Sequence, residues 1–246
     1  MSKKRLDQIL VDRGLADTKT RAQALVIAGK VYSGEKRLDK PGTPVAEDLA
    51  IELRGEPHPW VSRGGIKLAA GLEAFAIDPT GMTAIDVGAS TGGFTDVLLQ
   101  KGAAKVYAVD VGHGQLAWTL RNDPRVVVME RINARHLSAV EIPEPVDLVV
   151  CDASFIGLQT VLPAALALTK PNAFLVALIK PQFEVGKGRV GKGGVVRDPA
   201  LHEEVCEKIR AWLAALPGWT VLGIHESPIT GPEGNKEFLI GGRRGG

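Results

Sequence analysis

The sequence predicts an α/β protein with a mostly parallel sheet, preceded by a small, basic α+β module. Three observations favour this fold class. From residue 83 onward, short apolar runs alternate with segments of helical periodicity, which is typical of a parallel sheet covered by helices. A glycine-rich turn, Gly88-x-x-x-Gly92-Gly93, follows the first of these runs. Residues 1–40 hold ten Lys and Arg against five Asp and Glu, whereas the whole chain carries a net charge of only +2.

The amino-terminal module is predicted to contain two short helices and a closing strand. Apolar periodicity indicates helices over 5–13 and 18–28, the second with Thr18 as its amino-terminal cap. Residues 48–53 are predicted to form a closing strand. Two prolines within 56–59 indicate a linker. We therefore predict a first domain over 1–57, a linker over 58–63 and a second domain over 64–246.

The second domain is predicted to open with a helix that begins near residue 66, and strands and helices then alternate. The predicted strands are 83–87, 105–109, 126–129, 146–151, 173–179, 220–225 and 237–240. The predicted helices that follow the glycine-rich turn are 94–101, 115–121, 158–169 and 200–215. Ligands of such sheets bind beyond the carboxyl ends of the strands.

The glycine-rich turn indicates a nucleoside site. It lacks the dinucleotide pattern G-x-G-x-x-G, because Ser90 stands at the second glycine. Asp110 ends the next strand 22 positions after Gly88, close to the roughly 20 expected of a carboxylate that binds a ribose diol. A nucleoside without phosphates fits this turn, and S-adenosylmethionine is the common cofactor of that description. The turn resembles motif I of class I methyltransferases.

The predicted cofactor contacts follow from this turn and the two strands after it. We expect the methionine end of the cofactor to contact Asp86, Gly88, Ser90 and Gly92. Asp110 is expected to bind the ribose and Asn133 the adenine. An amide that caps its own loop is the alternative for Asn133.

Two stretches of the first domain resemble the RNA-binding domain named after ribosomal protein S4. They are RLDxxLVxxGL from residue 5 and TRxxAxxxAGKVY from residue 20. In that family the second helix and the Gly-Lys-Val turn present Arg and Lys to folded RNA. The resemblance implies RNA contacts by Arg5, Lys19, Arg21 and Lys30; solvated surface cations are the alternative.

Three charged residues of the second domain stand where a parallel sheet collects ligands, and a fourth comes from the predicted opening helix. Asp152 and Lys180 each follow a predicted strand, and Glu237 begins the last apolar run. Lys67 stands in the first turn of the predicted opening helix, where the helix dipole disfavours a cation by about 0.3–1 kcal/mol. This set resembles the Lys-Asp-Lys-Glu tetrad of the FtsJ-type ribose 2′-O-methyltransferases.

Three further motifs are similar to those of the TlyA family: SRGGxKL from residue 62, DxGxSTGGFT from residue 86 and KPQFE from residue 180. Its members are called hemolysin A and are also described as ribosomal RNA cytidine 2′-O-methyltransferases. The resemblance implies methyl transfer from S-adenosylmethionine to ribosomal RNA, with Lys180 as base or proton-weakening cation. Lys67 would orient the nucleotide, Asp152 and Glu237 would hold the lysines, and no metal would be needed. A cytolytic protein and a ribosome-assembly factor without catalysis are the alternatives.

The remaining sequence features favour a cytoplasmic protein without a membrane partner. Two cysteines do not form a disulfide framework, and no metal-ligand cluster accompanies them. No apolar segment follows Met-Ser-Lys-Lys-Arg as a signal peptide requires. The longest apolar run, 173–179, is far shorter than the ~20 residues that span a bilayer.

Residues 186–193 are predicted to form a basic loop beside the site, able to close on RNA.

Overall fold

The computed structural model describes residues 3–16, 18–34, 36–53, 58–186, 188–231 and 233–246. The chain forms two compact units, Met1–Pro57 and His58–Gly246. Within the described ranges, every helix is too short or too polar to cross a lipid bilayer.

The first unit packs two helices against short strands. Its elements are β1 (Lys3–Arg5), α1 (Leu6–Asp12), α2 (Lys19–Ile27), β2 (Val31–Ser33), β3 (Lys36–Arg37), β4 (Pro44–Ala46) and β5 (Glu52–Leu53). β1 pairs antiparallel with β4, while β2 lies between β3 and β5 in a three-stranded sheet. Leu6 and Leu10 of α1, Val26 of α2 and Val31 of β2 form the small core.

The two helices predicted for this unit are confirmed to within a residue or two. The Thr18 hydroxyl accepts a hydrogen bond from the Arg21 N–H at 3.1 Å and caps α2 as expected. The strand predicted over 48–53 is wrong for its first four residues. The Leu49 N–H donates to the Ala46 carbonyl and closes a turn, so only Glu52–Leu53 extends the sheet.

The second unit is a seven-stranded sheet covered by helices. Its helices are α3 (Gly64–Ala74), α4 (Gly93–Gln100), α5 (Trp118–Arg121), α6 (Leu158–Ala167), α7 (Pro181–Glu184) and α8 (Pro199–Ala215). Its strands are β6 (Thr83–Val87), β7 (Lys105–Asp110), β8 (Val126–Glu130), β9 (Val146–Cys151), β10 (Thr169–Ile179), β11 (Trp219–Glu226) and β12 (Phe238–Arg244).

The strand order is β11-β12-β10-β9-β6-β7-β8. The five strands β10, β9, β6, β7 and β8 are parallel to one another. β12 runs antiparallel to both β10 and β11. The mostly parallel sheet is therefore confirmed. The chain moves from β6 outward to β7 and β8, then returns to β9 on the other side of β6. Ligands bind at such a reversal of direction, beyond the strands' carboxyl ends.

Side-chain alternation along the strands builds one core on each face of the sheet. In β9, Val149 and Cys151 face the core formed with α6 and α8. Leu148 and Val150 face the opposite core, formed with α3 and α4. The strands are thus buried on both faces, as expected for a parallel sheet. Their carboxyl ends emerge at one rim, where the polar residues lie.

Several elements differ from those predicted: α3 begins at Gly64, α5 begins only at Trp118, and β12 begins at Phe238 and continues to Arg244. Two further differences matter for the site. β10 begins at Thr169, because α6 ends at Ala167 rather than continuing to 169. α7, a single turn directly after Lys180, was not predicted at all. The predicted linker, 58–63, packs against the second unit: Trp60 contacts the α3–α4 core, and the Val61 N–H donates to Asp96 at 2.7 Å. Residues 54–57 lie outside the described residues.

Candidate active site

Two cavities open side by side where β6 and β9 end. The lysine cavity has a volume of about 420 Å³ and is lined by Lys67, Lys180, Asp152 and Glu237 among others. The Asp110 cavity has a volume of about 490 Å³. The two share part of their lining, namely Gly88, Ser90, Asp152, Ser154 and Phe155. Both fall within the size range of ligand pockets, about 300–1,000 Å³.

Lys67 and Glu237 form a buried ion pair at one side of the lysine cavity. The Lys67 ammonium donates to Glu237 Oε2 at 2.5 Å, and the two side chains are 6% and 1% exposed. Lys67 stands in the first turn of α3, and the carboxylate offsets the unfavourable helix dipole there. Gly231 leaves room for this acid, since a Cβ at that position would lie 2.7 Å from Glu237 Oε1.

Lys180 and Asp152 form the second pair. The Lys180 Nζ lies 2.6 Å from Asp152 Oδ1, outside hydrogen-bond geometry. It donates instead to the Asp152 backbone carbonyl at 3.0 Å and to the Ser154 hydroxyl at 2.9 Å. Both residues follow the carboxyl ends of adjacent parallel strands, β10 and β9. The structure thus brings together all four residues of the predicted tetrad at one cavity.

The Asp110 cavity contains most of the residues predicted to bind the cofactor. Asp110 Oδ2 accepts from the Ser90 N–H at 2.8 Å, and its Oδ1 accepts from the Gly112 N–H at 2.6 Å. Asn133 lines the same cavity, but its side chain also accepts from the Arg135 N–H at 3.1 Å. Asn133 therefore caps its own loop in the structure, as the alternative interpretation expects.

Asp86 and Gly92, which we expected at the methionine end, do not line either of these two cavities. Asp86 is fully buried and accepts from the Thr95 N–H at 2.9 Å and the Thr95 hydroxyl at 2.7 Å. Burial raises the pKa of this carboxyl to about 7. Gly92 has φ 94° and faces Leu116 and Leu120 instead. In this arrangement both residues support the glycine-rich turn, and their contact with the cofactor stays a prediction.

The sequence analysis missed several lining residues of the lysine cavity. Ser154 binds Lys180, and Phe155 is 90% exposed with φ 65°, a strained conformation for an aromatic residue. Its ring lies 5.1 Å from that of Phe183. Gln182 also lines the cavity, and its Oε1 is buried without a hydrogen bond from any described residue. Ser154 and Gln182 each stand two positions after a predicted tetrad member, and this spacing is the sequence feature that could have identified them.

The four predicted RNA contacts of the first unit differ in their surroundings. Lys19 and Arg21 are exposed on α2. The exposed Arg5 guanidinium donates to the buried Asp7 carboxylate at 2.7 and 3.0 Å, and this contact holds the pKa of Asp7 well below its usual range. Lys30 is half-buried and has a partner. Lys19 and Arg21 are thus exposed as the resemblance implies, and RNA contact by each of the four residues stays a prediction.

One cation of the basic loop predicted over 186–193 forms an ion pair with a helix. The Arg189 guanidinium binds the Glu204 carboxylate of α8 through two contacts of 2.5 Å. Lys187 lies outside the described residues. Arg189 is therefore not presented to an RNA ligand in this arrangement.

The sheet order, with the antiparallel β12 next to β10, and the two switch-point cavities define a class I methyltransferase fold. Comparison with known proteins supports this class. The model of the FtsJ-like methyltransferase family matches residues 60–244, and the model of the S4 domain matches residues 4–51.

Three relatives match nearly the full length. The 16S/23S rRNA (cytidine-2′-O)-methyltransferase TlyA of Mycobacterium tuberculosis is 51% identical over 237 residues, which cover 96% of this chain and 88% of that protein. Hemolysin A of Brachyspira hyodysenteriae is 37% identical over 239 residues, which cover 96% and 98%. A solved structure from Streptococcus thermophilus is 42% identical, with a TM-score of 0.77 and coverage of 100% and 90%. The chain therefore belongs to the TlyA family of FtsJ-like methyltransferases with an S4 domain.

Proposed function

We propose that this protein transfers a methyl group from S-adenosylmethionine to the 2′-hydroxyl of a cytidine ribose in ribosomal RNA. The observation that carries the proposal is the convergence of two acid-paired lysines on one cavity beside a second, nucleoside-sized cavity. The 51% identical relative from Mycobacterium tuberculosis is named for this reaction. The ribosomal substrate also implies that the protein acts in the cytoplasm.

The residues of the Asp110 cavity fit S-adenosylmethionine. Asp110 offers a carboxylate for the ribose diol, and Asn133 offers an amide for a heterocycle. Val111, Ile132 and Ile156 supply apolar wall for an adenine ring. The two cavities share part of their lining, so a cofactor held in the Asp110 cavity would present its methionine end to the lysine cavity. These four features support the cofactor assignment.

Lys180 is the group proposed to act on the nucleophile. When bound, the cofactor supplies a methyl group on a sulfonium, which is already activated for displacement. A ribose hydroxyl is a weak nucleophile, so its proton must be removed or weakened as the oxygen–carbon bond forms. Lys180 Nζ, held by the Asp152 carbonyl and the Ser154 hydroxyl, accepts that proton or stabilises the developing alkoxide.

Lys67 is proposed to orient the nucleotide. Its ammonium lies in the lysine cavity with one partner, Glu237, and retains donors for a ribose or phosphate oxygen. The acid fixes the position of this side chain in the absence of RNA. Pre-oriented donors cost no reorganisation when the substrate arrives.

The RNA is proposed to reach the site with its target base out of the stack. Enzymes that act on a buried nucleotide extrude it and stack it on aromatic side chains. Phe155 is exposed and lines both cavities, which places an aromatic face beside the reacting groups. The S4 domain, with Lys19 and Arg21 exposed on α2, is proposed to bind RNA phosphates elsewhere on the ribosomal subunit.

Transfer of tritiated methyl groups from S-adenosylmethionine to purified ribosomal subunits tests the proposal. We expect incorporation into one or both subunits, at a cytidine that resists alkaline cleavage of its 3′ phosphodiester after modification. Absence of incorporation into either subunit, with cofactor binding intact, would favour a non-catalytic ribosome-assembly factor. The cytolytic alternative rests on the name of the Brachyspira relative, and lysis of erythrocytes by the purified protein without cofactor would be needed to support it.

A further inference from the structure

Glu184 is a buried acid of the KPQFE segment that lines neither of the two cavities. It ends α7, four positions after Lys180, and its side chain is 4% exposed. Its Oε1 accepts a hydrogen bond from the Leu158 N–H at 2.7 Å. Leu158 begins α6, so the carboxylate satisfies an unpaired donor at the positive end of that helix.

The chain around Gly157 is adapted to this acid. A Cβ on Gly157 would lie 3.2 Å from Glu184 Oε2, so a glycine allows the close approach. Lys208 of α8 donates to the Glu184 carbonyl at 3.0 Å and lies 3.3 Å from its Oε2. The carboxylate is thus held from two sides, by the α6 terminus and by an ammonium group.

Glu184 closes one end of a wall formed by two chain segments, 152–158 and 180–184. At the other end, Lys180 binds the Asp152 carbonyl and the Ser154 hydroxyl. Between them, the rings of Phe155 and Phe183 pack 5.1 Å apart. Three residues of this wall line both cavities at once. Any shift of the 152–158 segment would therefore move the partners of Lys180 relative to both ligands.

We propose that Glu184 is a positioning residue for methyl transfer, which acts by fixing the 152–158 segment against Lys180. The role rests on the proposed function, because it assumes that Lys180 acts on the nucleophile. Well-oriented groups lose about 10²-fold in rate when they are misplaced by about 1 Å. Loss of the Glu184–Leu158 hydrogen bond should therefore lower the rate of the chemical step more than substrate binding.

Steady-state methylation of ribosomal subunits by Glu184→Ala and Glu184→Gln variants tests this role. We expect Glu184→Ala to lower kcat by about 10–100-fold, with smaller changes in KM for the cofactor and RNA. Glu184→Gln should recover most of kcat, because its amide oxygen still accepts from the Leu158 N–H. Glu184→Asp, whose side chain is one methylene too short, takes the place of the alanine variant if that variant does not fold.

Ile209→Ala is the matched control for a loss of kcat that results only from a less stable fold. Ile209 is fully buried in α8, in the core shared with α6, and its truncation creates a cavity but removes none of the hydrogen bonds that Glu184 accepts from Leu158 and Lys208. We expect this variant to melt at a lower temperature with kcat within about twofold of wild type. An equal loss of kcat in Ile209→Ala and Glu184→Ala, or no recovery in Glu184→Gln, would overturn the proposal.

Hydrogen exchange on the cofactor-free protein separates failure of this inference from failure of the proposed function. We expect Glu184→Ala to increase amide exchange in the 152–158 segment, and Glu184→Gln and Ile209→Ala to leave it near wild type. If wild type fails to methylate ribosomal RNA but this pattern appears, the wall is fixed by Glu184 and the reaction is misassigned. If wild type methylates and the pattern is missing, Glu184 does not position the wall.

Discussion

The Lys67 ammonium lies 2.5 Å from the Glu237 carboxylate, although 170 positions separate the two residues in the chain. Neither side chain is more than 6% exposed. Removal of one partner from such a deeply buried ion pair destabilises proteins by about 3–5 kcal/mol, because the other charge stays buried without a partner. The pair therefore joins the beginning and the end of the second unit at the site itself.

We expect Glu237→Ala to lower the free energy of unfolding by about 3–5 kcal/mol, because it leaves the Lys67 ammonium buried without its partner. Chemical denaturation measures the change. The double variant Lys67→Met/Glu237→Leu removes both charges and should be more stable than Glu237→Ala, yet inactive. Equal stability of the single variant and wild type would show that the lysine finds another partner.

We expect Lys180→Ala to abolish methyl transfer while cofactor affinity stays within about threefold, because the ammonium acts on the ribose hydroxyl and not on the cofactor. Single-turnover methylation and calorimetry measure the two properties. Lys170→Ala is the matched control: Lys170 lies near the other end of β10 and pairs with Asp147 at 2.8 Å. Normal turnover by Lys180→Ala would remove this lysine from the mechanism.

We expect Asp110→Ala to weaken S-adenosylmethionine binding by tenfold or more, since hydrogen bonds to charged groups contribute about 1.5–3 kcal/mol. The substitution also releases the Ser90 and Gly112 N–H groups that Asp110 holds. Calorimetry on the RNA-free protein gives the affinity. Asp123→Ala, before the amino end of β8, serves as control, and an unchanged affinity in Asp110→Ala would exclude a ribose contact.

The raised pKa of Asp86 predicts that the free energy of unfolding depends on pH. Burial raises its pKa to about 7 from the ordinary value of 3.8, so between these values the folded protein holds a proton that the unfolded chain has lost. A rise in pH through this window therefore destabilises the fold. Asp86→Asn cannot ionise and should lose less stability than wild type between pH 4 and pH 7, measured by urea denaturation at each pH. Parallel curves would contradict the shift.

We expect Lys19→Ala and Arg21→Ala to weaken binding to ribosomal RNA and each to reduce the slope of log affinity against log salt by about one. Filter binding at several salt concentrations measures both effects. Arg5→Ala is a poor probe of RNA contact, because it leaves the buried Asp7 carboxylate without its guanidinium partner and should destabilise the first unit. Unchanged slopes in Lys19→Ala and Arg21→Ala would place the RNA contact on another face.

The part of the site that lies at strand ends could be predicted from the sequence. Asp152, Lys180 and Asp110 follow apolar runs, and the carboxyl ends of parallel strands meet at one rim, so their proximity follows from the fold class. Lys67 was found because a cation in a first turn contradicts the helix dipole. A local conflict of this kind is where a functional position is expected, and in the structure Lys67 has a distant partner, Glu237.

The rest of the site depends on conformations that leave no periodic pattern. Phe155 adopts a positive φ, which no rule assigns to an aromatic residue. α7 has only four residues, too few for helical periodicity, and it sets the direction of Gln182 and Glu184. The surroundings of Asp86 could not be predicted either, because the sequence does not show that strand alternation turns this acid toward Thr95.

The position of β12 has a consequence for the synthesis of this enzyme. Among the strands β12 is the last to leave the ribosome, yet it lies inside the sheet, between β10 and β11, and directly follows Glu237. Until these residues are translated, Lys67 has no counter-charge and the edge of β10 stays open. A nascent chain therefore holds neither the closed sheet nor the Lys67–Glu237 pair before Glu237 and β12 have been translated.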